Sequence, residues 1–151
     1  MQYISVSKFY LQQPIKLNTW TKLFLVCAAF TVAVISFMIK LPAGFKHIDK
    51  ELHAAFYFLA AAFLNFLFAN KKISIHLLIF IILFLFGISI EYAQEYSNKL
   101  LHTRIHGRFD PEDVRSNLKG QVAYSICWMV YVVCMFMYNS ATVKETANKQ
   151  E

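Results

Sequence analysis

The sequence predicts an all-α integral membrane protein: a bundle of four transmembrane helices with both termini on the same side. Composition gives the first reason. Of the 151 residues, 58% are hydrophobic and 16% charged, against about 25% charged in an average soluble domain. A chain this short has too little interior to hide so much apolar surface from water. Patterning gives the second reason. The apolar residues fall into four runs, each close to the roughly 20 helical residues that cross about 30 Å of hydrocarbon, and the charged residues lie between them. An even number of spans then returns both termini to one side.

The net charge of +6 would suit a phosphate-rich partner. Here, however, Lys and Arg flank the apolar runs, as they do where basic side chains meet headgroups. The expected partner is the lipid bilayer, with no nucleic acid. Cys27, Cys127 and Cys134 all fall within apolar runs, odd in number and without CxxC spacing. They form neither a zinc pattern nor a disulfide framework and read as small apolar fillers.

Residues 1–21 carry Tyr3, Phe9, Tyr10, Leu11 and Trp20 among scattered lysines and read as an interfacial segment. The first span, 23–39, lies between Lys22 and Lys40. It lacks a small-x-small cleavage pattern and is expected to be retained. The second, 52–69, is stopped by Asn70-Lys71-Lys72, and the third occupies 73–93. With only three residues between them, these two form an antiparallel hairpin. Asn65 and His76 both lie towards its turn, at positions suited to an interhelical hydrogen bond.

A polar loop, 94–110, precedes the fourth helix, whose start is written in Asp110-Pro111-Glu112-Asp113. Asp caps the free N–H groups, Pro takes the first helical position and two acids complement the dipole. From 111 to 138 is about 42 Å of helix at about 1.5 Å per residue, more than hydrocarbon requires. Its first turns, PEDVRSNLKG, must lie at the interface or in a protein-lined recess. The membrane domain is expected over 22–139, followed by a polar tail, 140–151.

Parity places the loop before the second span and the loop after the third at the same end. Seven of the nine acidic residues are there: Asp49, Glu51, Glu91, Glu95, Asp110, Glu112 and Asp113. Lys and Arg divide seven to eight between the two ends, so the positive-inside rule does not orient the chain. The terminal end, however, sets its seven bases against Glu145 and Glu151 alone. Cytoplasmic termini and an outward-facing polar end are therefore expected.

Helical spacing aims several of these side chains together. Asp49, His53 and Tyr57 are four apart, as are Gly87, Glu91 and Glu95, with Gln94 alongside; Asp113, Asn117, Gly120 and Tyr124 follow a 4-3-4 pattern. Three helices thus converge, as a site requires. The candidate catalytic residues are His53, Glu91 and Asp113, and the candidate binding residues are Asp49, Gln94, Arg108 and Asn117. Lys50, Glu51, Lys99, Glu112 and Lys119 read as interfacial charges that snorkel or pair. His102 and His106, four apart, read as part of a solvated basic loop, not a metal pair.

DKELHAAFYF (49–58), EYAQ (91–94) and RFDPEDVRSNLKG (108–120) together resemble the pattern of VanZ-like membrane proteins. That pattern has a D-K-x-x-H-x-x-x-Y segment, an E-x-x-Q segment and an R…D-x-x-x-N-x-x-G segment, in this order. The resemblance covers roughly residues 40–138 and matches Asp49, Lys50, His53, Tyr57, Glu91, Gln94, Arg108, Asp113, Asn117 and Gly120. HTRIHGR and Lys119 depart from it. It implies a small bacterial cytoplasmic-membrane protein associated with resistance to teicoplanin-type glycopeptides, and it supplies no biochemical activity.

From the residues, one reading is an enzyme acting at the outer surface on a lipid-linked or cell-envelope substrate. His53 would serve as general base or acid, because an unperturbed imidazole titrates near pH 6.5. Glu91 or Asp113 would orient it or bind a divalent ion, and Arg108 would hold a phosphate. A His with two carboxylates suits zinc, manganese or iron, and the sequence selects no cofactor among them. The alternatives are a non-catalytic binding or accessory protein for a cell-wall precursor or partner protein, and a purely structural network. A transporter fits poorly, since the polar groups gather at one end and no inverted repeat is visible.

Overall fold

The computed structural model describes residues 17–38, 43–69, 71–102 and 109–148. Arg108 and His106 lie outside these residues, as does most of the 1–21 segment. The described residues are helical and contain no strand. Helix α1 spans Thr19–Met38, and a 3-10 turn at Ala43–Ile48 leads into α2, Asp49–Leu64. A π-helical turn, Asn65–Ala69, prolongs α2; α3 is Ile73–Leu100 and α4 is Pro111–Asn148. Among the described residues, four segments are long and apolar enough to cross a membrane: Thr19–Met38, Asp49–Ala69, Ile73–Leu100 and Pro111–Thr142. Helix α4 continues to Asn148, so the polar 140–151 tail begins as helix.

Local chemistry sets the helix starts. Asn18 caps α1, its Oδ1 accepting the Thr21 N–H at 2.7 Å. Asp110 caps α4, its Oδ1 accepting the Glu112 N–H at 2.8 Å. In the hairpin turn, Lys71 takes a left-handed conformation at φ 64°.

Cross-helix contacts fix the directions. Lys22 Nζ near the start of α1 donates to the Leu67 carbonyl at the end of the α2 span, 2.6 Å away. Gln94 Nε2 late in α3 donates to the Phe37 carbonyl at the end of α1, at 2.7 Å. Helices α2 and α4 run parallel and meet at Gly120, where an added Cβ would lie 2.0 Å from the Ala54 carbonyl oxygen. Only a residue without a side chain admits that approach.

The core is a cluster of Tyr57, Ala61, Ala69, Ile79 and Leu83, packed by Phe37, Phe56 and Phe86. Outside it, large apolar side chains such as Phe24, Leu59, Ile81 and Phe136 are exposed. Such a surface suits hydrocarbon and would be a liability in water. Helix α1 is the most peripheral, with Ala33 its buried residue.

Towards the hairpin turn, Asn65 and His76 bond as their positions predict, with His76 Nδ1 2.8 Å from Asn65 Oδ1. The structure adds α4 to this pair. His76 Nε2 lies 3.1 Å from Ser125 Oγ, and the Trp128 ring stacks on the imidazole at 4.1 Å and 2°. Asn65 Nδ2 in turn donates to the Ala61 carbonyl at 2.8 Å.

Candidate functional site at the polar end

The opposite end of the bundle gathers the starts of α2 and α4 and the later turns of α3. Helix α2 begins at Asp49, so Asp49, Lys50, His53 and Tyr57 occupy its first turns. His53 Nδ1 is 2.9 Å from Asn117 Oδ1 on α4. That oxygen can only accept, so Nδ1 carries the proton and Nε2 of the neutral ring keeps its lone pair. Nε2 is turned towards Asp49 Oδ1, 3.9 Å away, too far for a hydrogen bond. Phe37 packs on the imidazole with ring centroids 5.2 Å apart.

Lys50, expected as an interfacial charge that snorkels or pairs, does pair. Its Nζ reaches across to α4, 2.6 Å from Asp110 Oδ2 and 2.5 Å from Asp113 Oδ1. Asp110 thereby joins three helices. One carboxylate oxygen caps α4, the other meets Lys50, and its backbone N–H donates to Glu91 Oε2 on α3 at 3.2 Å. The Lys50 ammonium and the Glu112 N–H hold the Asp110 carboxyl below the usual carboxylate range.

Glu91 is 1% exposed, and its second oxygen, Oε1, has no protein partner. Tyr57 is fully buried, and its hydroxyl is likewise unpartnered. Gly87, one turn before Glu91, makes room for this arrangement. A Cβ there would come within 3.0 Å of both Tyr57 Oη and Asn117 Nδ2. An unpartnered buried polar group costs roughly 1–3 kcal/mol, so several in one place are weak evidence for a purely structural role.

The structure therefore brings together His53, Glu91, Asp113, Asp49 and Asn117. Gln94 Nε2 donates to the carbonyl of Phe37 on α1, whose ring packs on His53. Arg108 lies outside the described residues. Glu95 pairs with Lys99 on the helix exterior at 3.0 Å, and His102 is exposed. Among the described residues, Asp49, His53 and Asp113 could jointly hold a metal ion, offering ligand atoms all within 4.8 Å of one another.

Two contributors went unread in the sequence. One is the double bridge from Lys50. The other is Gln121, 1% exposed with both amide atoms unpartnered, one turn below Asn117. The signal for Gln121 was present, because Asp113, Asn117, Gln121 and Ser125 repeat at intervals of four. The competing 4-3-4 reading through Gly120 and Tyr124 follows the neighbouring stripe of the same helix, which packs on α2. Compared with known proteins, the chain matches no family model, no curated protein and no solved structure.

Proposed function

We propose that this chain is a VanZ-like protein of the bacterial cytoplasmic membrane, with cytoplasmic termini and an outward polar end acting on a lipid-linked or cell-envelope substrate. One observation carries the reading: Glu91 Oε1 and the Tyr57 hydroxyl are buried without protein partners where three helices converge beside His53 and Asn117. Those atoms suit a ligand that offers a donor to a carboxylate and a donor or acceptor to a phenol. A hydroxyl- or amide-bearing headgroup meets that requirement. His53, with Nδ1 bonded to Asn117 and Nε2 free, is arranged to take a proton from a substrate hydroxyl or from water. Asn117 acts through His53 as a positioning residue.

The test is resistance in a teicoplanin-susceptible bacterial host expressing the chain. The wild type should raise resistance, and His53→Ala and Glu91→Gln should each remove it at unchanged membrane level. Resistance retained by both variants would sink the proposal. With a polyprenyl-diphosphate-linked sugar in vesicles, conversion detected by mass spectrometry supports catalysis. Binding without conversion supports the accessory-protein reading instead.

A further inference from the structure

A charge imbalance at the polar end needs an explanation. Among the described residues, Asp49, Glu91, Asp110 and Asp113 meet there, and the ammonium of Lys50 engages Asp110 and Asp113. Asp49 and Glu91 have no such cationic partner among the described residues, and the surplus of carboxylates would repel any phosphate in a lipid-linked substrate. Within the same cluster, Asp49, His53 and Asp113 present ligand atoms within 4.8 Å of one another.

From this juxtaposition we infer a divalent-cation site formed by Asp49, His53 and Asp113. The inference rests on reading the polar end as a ligand site; with the ion bound, Nε2 is a ligand and no longer the proton acceptor.

Four features fit an ion. His53 bonds through Nδ1 to Asn117 Oδ1 at 2.9 Å, which presents Nε2 to the cluster; metal-binding imidazoles are held this way by an acceptor on the other nitrogen. The Nε2–Asp49 Oδ1 gap of 3.9 Å exceeds a hydrogen bond. Two donors each about 2.1 Å from a shared ion lie about 3.0–3.4 Å apart, so a small closing movement makes the site. Asp113 spends Oδ1 on Lys50 and keeps Oδ2 to coordinate.

The fourth feature is Glu91. It is 1% exposed with Oε1 unpartnered. Its other oxygen is tied to Asp110, which shares the Lys50 ammonium with Asp113. Asp49, with its side chain 37% exposed, leaves one face open for water or a substrate oxygen, as reactive metal sites do. One nitrogen with carboxylate oxygens is a donor set for manganese, iron(II) or zinc, and for neither a thiolate-selective ion nor a calcium cage.

The experiment uses the full chain purified in detergent, stripped with chelator and titrated with Mn2+. The bound ion is read by electron paramagnetic resonance and electron spin-echo modulation. The wild type should bind about one equivalent and show the nitrogen modulation of a coordinated imidazole. His53→Ala should lose that modulation, Asp49→Asn should weaken binding at least tenfold, and the exposed neighbour variant Glu51→Gln should leave both unchanged. Circular dichroism on each variant separates lost binding from lost fold. The inference is overturned if wild type and Asp49→Asn bind Mn2+ equally, or if the wild-type spectrum lacks imidazole nitrogen. An intact ion site with resistance retained by both His53→Ala and Glu91→Gln would remove the proposed function and leave the ion. The converse result would remove the ion alone.

Discussion

At the hairpin end of the bundle, His76 has a partner on each ring nitrogen and Trp128 across its face. At the polar end, His53 has one nitrogen bonded, while Glu91 and Tyr57 keep buried atoms without partners. Both regions place a histidine among three helices and a short-chain amide against it, Asn65 in one and Asn117 in the other. The difference lies in satisfaction. A completed network lowers the energy of one arrangement and has nothing left to offer a ligand. An incomplete one gives up stability and keeps donors and acceptors in reserve. Bonding geometry thus separates a clamp from a site where residue type does not.

The largest stability effect should come from breaking the clamp. His76→Ala removes two hydrogen bonds and the Trp128 stack and strands the Asn65 Oδ1 atom, costing about 2 kcal/mol given the modest value of such bonds in membranes. Thermal unfolding in detergent should show a clear fall, with Mn2+ binding retained once the fold is confirmed. At the polar end the signs should reverse. Gln121→Leu replaces an amide with neither end bonded and should raise stability by about 1–2 kcal/mol. A fall of that size would mean that Gln121 has a partner in the folded protein.

Gly87→Ala sharpens the comparison within the site. Its Cβ would crowd Tyr57 Oη and Asn117 Nδ2 at 3.0 Å, both at side-chain ends that can yield. Stability should change by less than about 1 kcal/mol, whereas Mn2+ affinity or resistance should drop severalfold because Asn117 positions His53. The smallest effect concerns pH. Asp110 is held below the usual carboxylate range by Lys50, so its contribution is present above the unfolded carboxylate value, about 3.9. It is lost as pH falls through the lower folded value. Melting temperature should therefore fall less steeply under acid in Asp110→Asn than in wild type, by a margin limited by solvent screening of this half-exposed pair.

The four spans, the Asp110 cap, the hairpin and the Asn65–His76 bond were legible because each depends on local spacing or on the length needed to cross hydrocarbon. Convergence of His53, Glu91, Asp113 and Asn117 followed from parity and helical period together. Gln94 lies three residues from Glu91, and its Nε2 donates to the Phe37 carbonyl on α1; sequence does not say which neighbour occupies that flank of α3. The Lys50 bridge joins residues 60 and 63 apart in the chain, and a long flexible side chain leaves no periodic trace of such a partner.

The glycine at the α2–α4 crossing has a mechanical consequence. Backbone approaches backbone at Gly120 and Ala54, so any side chain at position 120 would force these two helices apart. Asp49 and His53 ride on one of them and Asp113 and Asn117 on the other, so that separation would also pull the two halves of the cluster apart. Glu91 rides on α3 and is joined to the start of α4 through the Asp110 N–H.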